Sequence, residues 1–333
     1  MAIAELEAET LLTSKEESQW VIVWRRFRKH KLAVVGGIVL ISLITASLLA
    51  SWVAPYDPLQ QNVDSTGHRL RNASFSSSHL MGTDTIGRDV FSRLLHAGRI
   101  SLLVAFSVTL ITETIGAFLG AVSGYYGGMV DSLIQRFVEF LITIPLLPLL
   151  LAFAAMLRGI EIPMVSRQYN SVAIIILVLT CFGWTGSCRL VRGMVLSLRE
   201  MDFIEASRAL GMSDLRIITR HMIPNSMAPI IVNATLGLGG VIIVESALSF
   251  LGFGVQLPTA TWGNMLGEYQ QDMWTQPAKV FFPGLTIFFG LAVVQLCRRR
   301  FARRPGPTSQ DVATTKKCYG LRRLEFCVNL CNL

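Results

Sequence analysis

What limits this chain most is the length of its uncharged runs. Residues 32–56 carry no charge, and residues 100–123 are interrupted only by Glu113. A helix needs about 20 apolar residues to cross the hydrocarbon core of a bilayer, and both runs meet that length. Four more follow at 133–157, 171–188, 222–244 and 280–297, with charge only near the start of the first. A water-exposed surface cannot be built from such sequence. The reading is an all-α polytopic membrane protein with six transmembrane helices. Only 16% of the 333 residues are charged and the mean hydropathy is +0.50. These values exclude an ordinary cytosolic enzyme, a disordered chain and a secreted disulfide scaffold.

Charge then orients the spans. The net charge of +8 invites a nucleic-acid reading, but its distribution argues for topology. With the basic N-terminus in the cytoplasm, the inside segments 1–31, 189–221 and 298–333 hold 21 Lys and Arg, and the outside segments 57–99, 158–170 and 245–279 hold 8. A basic excess on one side marks the cytoplasmic face. Both termini are therefore expected inside, with no nucleic acid as partner. Five Glu within residues 1–20 argue against a cleaved signal peptide. The six cysteines form no C-x-x-C pair and have no neighbouring His, so they are read as reduced and no metal site is expected.

Between the fourth and fifth spans lies a charged, helix-prone segment. Residues 199–210 read as a helix, Gly211 suits a left-handed stop, and Ser213 can cap a second helix over 215–223 that Pro224 ends. Ala206, Ser207 and Ala209 are small enough for another surface to approach, with Glu205 as a charged anchor. An amphipathic loop lying in the lipid interface is the other reading.

Glu205-Ala206-Ser207, then Gly211, then Ile223-Pro224 resembles the EAA loop of permease subunits from binding-protein-dependent ABC importers. Ser207, His221 and Ile223 depart from the family pattern, but the acidic anchor does not. The segment from His79-Leu80-Met81-Gly82-Thr83-Asp84 through Gly87-Arg88-Asp89 to Arg93-Leu94 is similar to that preceding the second span in dipeptide and oligopeptide permeases of the DppC/OppC type. So are Gly124–Gly128, Arg189-Leu190-Val191-Arg192-Gly193, Ser249-Phe250-Leu251-Gly252 and Thr261-Trp262-Gly263. The resemblance covers about residues 20–290 in order.

It implies a type I ABC importer permease fold. Residues 1–31 would be a cytoplasmic segment, 32–56 the first helix and 57–99 an external segment. Residues 100–297 would be the transmembrane domain, with the EAA loop at 203–224. It also implies partners in a bacterial inner membrane: a second homologous permease, two ATPase subunits that bind ATP and Mg, an extracytoplasmic binding protein and a peptide substrate. Glu205, Ala206, Ser207, Gly211, Ile223 and Pro224 would couple to the ATPase. The sequence supports that division of labour, since no Gly is followed by Lys and a G-x-x-x-x-G-K phosphate loop is absent. No cofactor and no catalytic residue is expected on this chain. A nickel or other small-solute permease is the nearest alternative. An ATP-independent channel or carrier would want converging intramembrane charges or an inverted repeat, and an intramembrane enzyme a motif such as H-E-x-x-H; the sequence has neither.

Glu113 falls inside an expected span, where charge is costly and faces a cavity or a partner, and Glu245 stands just past the end of another. Glu113 reads either as a pore-lining carboxylate for a peptide amine or as a packing contact satisfied by Ser107, Thr109, Thr112 or Thr114. Glu245 is expected in the outer half of the pore, as a functional or a structural group. Pro145 and Pro148 are read as ordinary kinks in the third span, and the Asp/Arg-rich 82–93 as an external cap or interfacial helix. The tail departs from the family. Where its members read N-F-V-G-D-G-L-R-D-A-L-D-P, residues 295–307 read Q-L-C-R-R-R-F-A-R-R-P-G-P. One set of codons yields both when read one base apart, so residues after about Val294, including the 298–333 tail, are expected to be out of frame. Resequencing the gene decides the point.

Overall fold

The structure is a computed structural model and describes residues 31–64 and 67–301, the side chains of 31–37, 39, 40 and 292–301 excepted. Expectations for residues 1–30 and for the tail beyond residue 301 lie outside the described residues. Almost all described residues belong to one unit that ends at Arg298. Among them the regular structure is helical, with only three isolated antiparallel bridges, Gln61 to Arg88, Val63 to Arg69 and Thr83 to Asp89.

The chain opens with α1 (Lys31–Leu48) and the short α2 (Ala50–Val53), then builds around α3 (Val90–Tyr126), 37 residues long. At 1.5 Å per residue α3 spans about 55 Å, well beyond the roughly 30 Å hydrocarbon core, so it projects from the apolar slab. It starts ten residues before the expected second span. Asp89 caps it by accepting the Ser92 N–H at 2.8 Å. Arg99 bonds the Ser47 and Leu48 carbonyls at the end of α1, at 2.7 and 2.5 Å. The turn expected over 124–128 is shorter: Gly124 to Tyr126 stay helical, and only Gly127 (φ +65°) and Gly128 (φ +52°) reverse the chain.

The remaining passages correct the expected boundaries. The third span is two helices, α4 (Gly128–Thr143) and α5 (Leu146–Leu157), set 89° apart. This is a break rather than a kink. Ile144 precedes Pro145, and clash with the proline ring drives such a residue out of the helical region, here to φ −81°, ψ 130°. The fourth passage joins α6 (Arg167–Gly183) to α7 (Thr185–Leu198) and runs past Arg189 instead of ending there. After the hairpin described below, α11 (Met227–Phe250) begins beyond Pro224 and ends six residues later than expected. Then come α12 (Trp262–Tyr269) and α13 (Pro277–Phe301). Among the described residues α3, the α6–α7 rod and α11 are long and apolar enough to cross a membrane, and the α4–α5 pair makes a fourth. The helices α1 and α13 stand at the expected first and sixth positions.

The tightest packing joins α3 to α7. A side chain at Gly116 would collide with the Trp184 carbonyl, at Gly120 with that of Cys188, and at Gly124 with Val195. Glycine at every fourth residue brings two backbones into contact, the small-residue device of membrane helices.

The N-terminal end of α3 is closed by charge. Asp84 accepts from Arg88 Nε at 2.6 Å and Arg93 Nη1 at 2.8 Å, while Glu268 on α12 accepts from Arg93 Nη2 at 2.6 Å and Arg88 Nη2 at 3.0 Å. Arg93 is fully buried. The Tyr269 phenol beside it is pushed up from its ordinary pKa, above all by burial. The capping box of Thr261 and Asn264 sets α12 in place, and Trp262 donates from Nε1 to the Leu94 carbonyl at 3.3 Å. Residues 82–89 thus cap this end of α3, while Val90 to Arg93 of the expected segment belong to the helix itself.

Candidate functional site

The EAA segment folds into a hairpin at the opposite end of α3. Its first arm is α8 (Asp202–Ala209), and Gly211 takes φ +76° to stop it. The Met212 N–H reaches the Ser207 carbonyl at 3.1 Å, and the Gly211 N–H reaches that of Arg208 at 2.9 Å. These two bonds are the Schellman closure that a left-handed residue after a helix makes possible. A side chain at 211 would meet no atom within 4 Å, so glycine is needed there for its φ and not for space.

The second arm is less regular than expected. It begins with α9 (Asp214–Ile217), widens into a π-turn over Ile218–Met222, and continues through α10 (Ile223–Asn225). Ser213 stands at the cap position without a side-chain cap bond. Pro224 does not end the arm. Its ring would crowd the Arg220 carbonyl of a regular α-turn, and the wider turn before it relieves that contact.

Burial divides the hairpin into two faces. Ile204, Ile217, Ile218 and Met222 are buried with Ala121 and Val195 in one apolar cluster. Ser207 is buried and donates to the Phe203 carbonyl at 2.7 Å. Glu205, Ala206, Gly211 and Pro224 are exposed, and Ile223 is half-buried. Met201, Phe203, Leu210 and Leu215 are exposed beside them, with Leu210 at 86%. The hairpin therefore presents an apolar, acid-marked surface on a base fixed to the spans.

The two intramembrane carboxylates are held inside the helix packing. Glu113 accepts from Ser187 Oγ on α7 and from Asn233 Nδ2 on α11, each at 2.7 Å. Its partners are thus not the expected Ser107, Thr109, Thr112 and Thr114 of its own helix. Hydroxyls on a helix bond back to their own turn, as Thr112 does to the Val108 carbonyl at 2.8 Å. Glu245 is 1% exposed, accepts from Ser249 Oγ at 2.8 Å and lies among the hydroxyls of Thr261, Ser101 and Ser246. Exposed charge within the expected third span sits instead on α4, at Arg136 and Glu139. No residue motif marked these two, although both break an apolar run. The glycine stripe was missed as well, and its four-residue spacing was the available signal.

The same segments carry the relationships of the chain. Residues 116–306 match the family of binding-protein-dependent transport system inner membrane components, and residues 18–72 match the N-terminal transmembrane domain of oligopeptide transport permease C. The chain is 39% identical over 270 residues to the dipeptide transport system permease protein DppC of Alkalihalophilus pseudofirmus, covering 81% of this chain and 84% of that one. It is 37% identical over 277 residues to the glutathione transport system permease protein GsiD of Escherichia coli, covering 83% and 86%. A solved structure of the MetNI methionine ABC transporter in inward-facing conformations aligns with TM-score 0.47 and 18% identity over 64% of this chain and 96% of that one. This chain belongs to the family of binding-protein-dependent transport system inner membrane components, the permease subunits of ABC importers.

Proposed function

We propose that this chain forms half of the translocation pore of an ATP-driven importer of dipeptides and short oligopeptides. In this reading separate ATPase subunits grip the α8–α9 hairpin. The observation that carries it is the hairpin's outer face, where Glu205 and Ala206 stand exposed beside Phe203 and Leu210, locked by the Gly211 stop. An apolar surface edged by the acids Asp202 and Glu205 fits a docking cleft better than open solvent. ATP and Mg belong to the ATPases, a second homologous permease completes the pore, and a binding protein delivers cargo at the opposite face. The basic excess of 189–221 supports a reading in which the hairpin and both termini face the cytoplasm of a bacterial cell. The charge-locked cap of 82–89 and α12 then faces outward.

Closure of an ATPase pair would draw the hairpin with it and tilt the attached spans between inward-open and outward-open states. Glu113 serves here to tie α3 to α7 and α11, a packing role that its two donors support. The peptide assignment rests on the relatives named for dipeptide and glutathione transport. Growth of a knockout on defined peptides, set against growth under nickel limitation, separates it from the small-solute alternative. Glu205→Lys reverses the anchor, and Gly211→Pro forbids the φ of +76°. Each is expected to abolish uptake while the chain still accumulates in the membrane. Normal uptake in either variant removes the handle.

A further inference from the structure

Two kinds of contact join the hairpin to the spans. The first is the apolar cluster of Ile204, Ile217, Ile218 and Met222 against Ala121 and Val195. Hydrophobic contact is non-directional, so it resists separation but sets no register. The second is a single hydroxyl. Tyr125, 6% exposed on the last turn of α3, donates from Oη to Asp214 Oδ1 at 2.6 Å and accepts from Arg208 Nε at 3.3 Å. The Arg208 guanidinium carbon also lies 4.8 Å from the Tyr125 ring centroid. Arg208 closes α8 and Asp214 opens α9, so both arms of the hairpin meet on one oxygen across the Gly211 turn. A hydroxyl placed between a cation and an anion is polarised by both, which strengthens each bond.

We infer that Tyr125 is the positioning residue that registers the hairpin on α3, so that hairpin, α3 and the glycine-packed α7 move as one body. The inference rests on the hairpin being the coupling handle and names the group through which its motion reaches the pore. Below Tyr125, the backbone contacts at Gly116, Gly120 and Gly124 leave α3 and α7 no clearance to slide. Arg192 of α7 adds a bidentate pair to Asp131 at the start of α4, at 2.5 and 2.6 Å. The movement is thereby delivered to the second span as well as to the α7 and α11 helices that flank the hairpin in sequence.

The test uses the assembled importer in proteoliposomes, with native cysteines replaced by alanine. Spin labels go on Leu110→Cys of α3 and Arg216→Cys of the hairpin, both exposed positions. With Tyr125 present, the distance distribution is expected to be the same without nucleotide and after trapping with ATP and vanadate. With Tyr125→Phe, the distributions of the two states should separate. ATP hydrolysis should persist, while uptake of labelled dialanine per ATP falls about tenfold, the scale of one lost charge-assisted hydrogen bond. Equal behaviour of Tyr125→Phe and the parent overturns the inference, as does a parent distance that shifts with nucleotide. Should Tyr125→Phe fail to accumulate, Asp214→Ala on the exposed arm removes the acceptor of the same bond and gives the same readout, and parent-like distances there are equally fatal. Normal ATP-driven uptake by Glu205→Lys would instead fail the handle reading, whatever the spin labels report.

Discussion

The two ends of α3 are fastened in opposite ways. At Val90 the helix is closed by two arginines and two carboxylates, with Arg93 fully buried among them. At Tyr126 it is fastened by an apolar cluster and one hydroxyl, with the partner Asp214 exposed to solvent. A buried charge network tolerates little displacement, because any parting leaves a charge uncompensated in low dielectric. A greasy contact registered by one bond can carry load and still be remade. On the proposed reading, the contrast distinguishes an anchored end from a driven one.

Substitutions ranked by their cost to stability sharpen that contrast. Arg93→Ala should be the most damaging, since it strips a donor from both Asp84 and Glu268. About 3–5 kcal/mol is expected for breaking a buried ion pair, read as loss of the chain from membranes or a collapse of its thermal midpoint. Gly120→Val comes next. It forces α3 away from the Cys188 carbonyl, with a cost of about 1–3 kcal/mol typical of overpacking, and should lower the melting temperature without touching the hairpin. Asn233→Ala leaves one oxygen of Glu113 without its donor. Its cost of about 1–2 kcal/mol should be partly relieved when combined with Glu113→Gln in a double-mutant cycle. At the driven end, Leu210→Ala should change stability by less than about 0.5 kcal/mol, as exposed positions do. Its effect is expected in affinity for the ATPase, measured by titrating detergent-solubilised subunits. A large stability loss there, or a small one for Arg93→Ala, would erase the distinction between the ends.

The sequence reveals what is local and hides what is paired at a distance. The uncharged runs located every described passage because apolar length is a property of the run itself. The Gly211 stop was legible because a left-handed residue after a helix favours glycine. The early start of α3 was not, because Arg93, His96 and Arg99 look like loop residues. Their polar groups are satisfied by Glu268, by the Ser92 carbonyl and by the end of α1, partners up to 175 residues away. The right-angled break at Pro145 was signalled only as a weakness, since a proline fixes where a helix fails and the surroundings fix the angle. Glu113 stood out, yet its donors lie 74 and 120 residues along the chain. Glu205 stood out as a charge beside small residues, and only its role toward an ATPase came through resemblance, whereas Tyr125 was hidden inside what read as a tight turn.

The glycine stripe has a consequence for diversification. Where two backbones touch, there is no side chain left to vary, so the α3–α7 pair can be kept or broken but not retuned. A permease of this build must adapt to new cargo on other walls. On the right-angled α4–α5 elbow, by contrast, Arg136, Glu139, Phe137 and Phe140 stand exposed, and their side chains are free to change without parting two backbones.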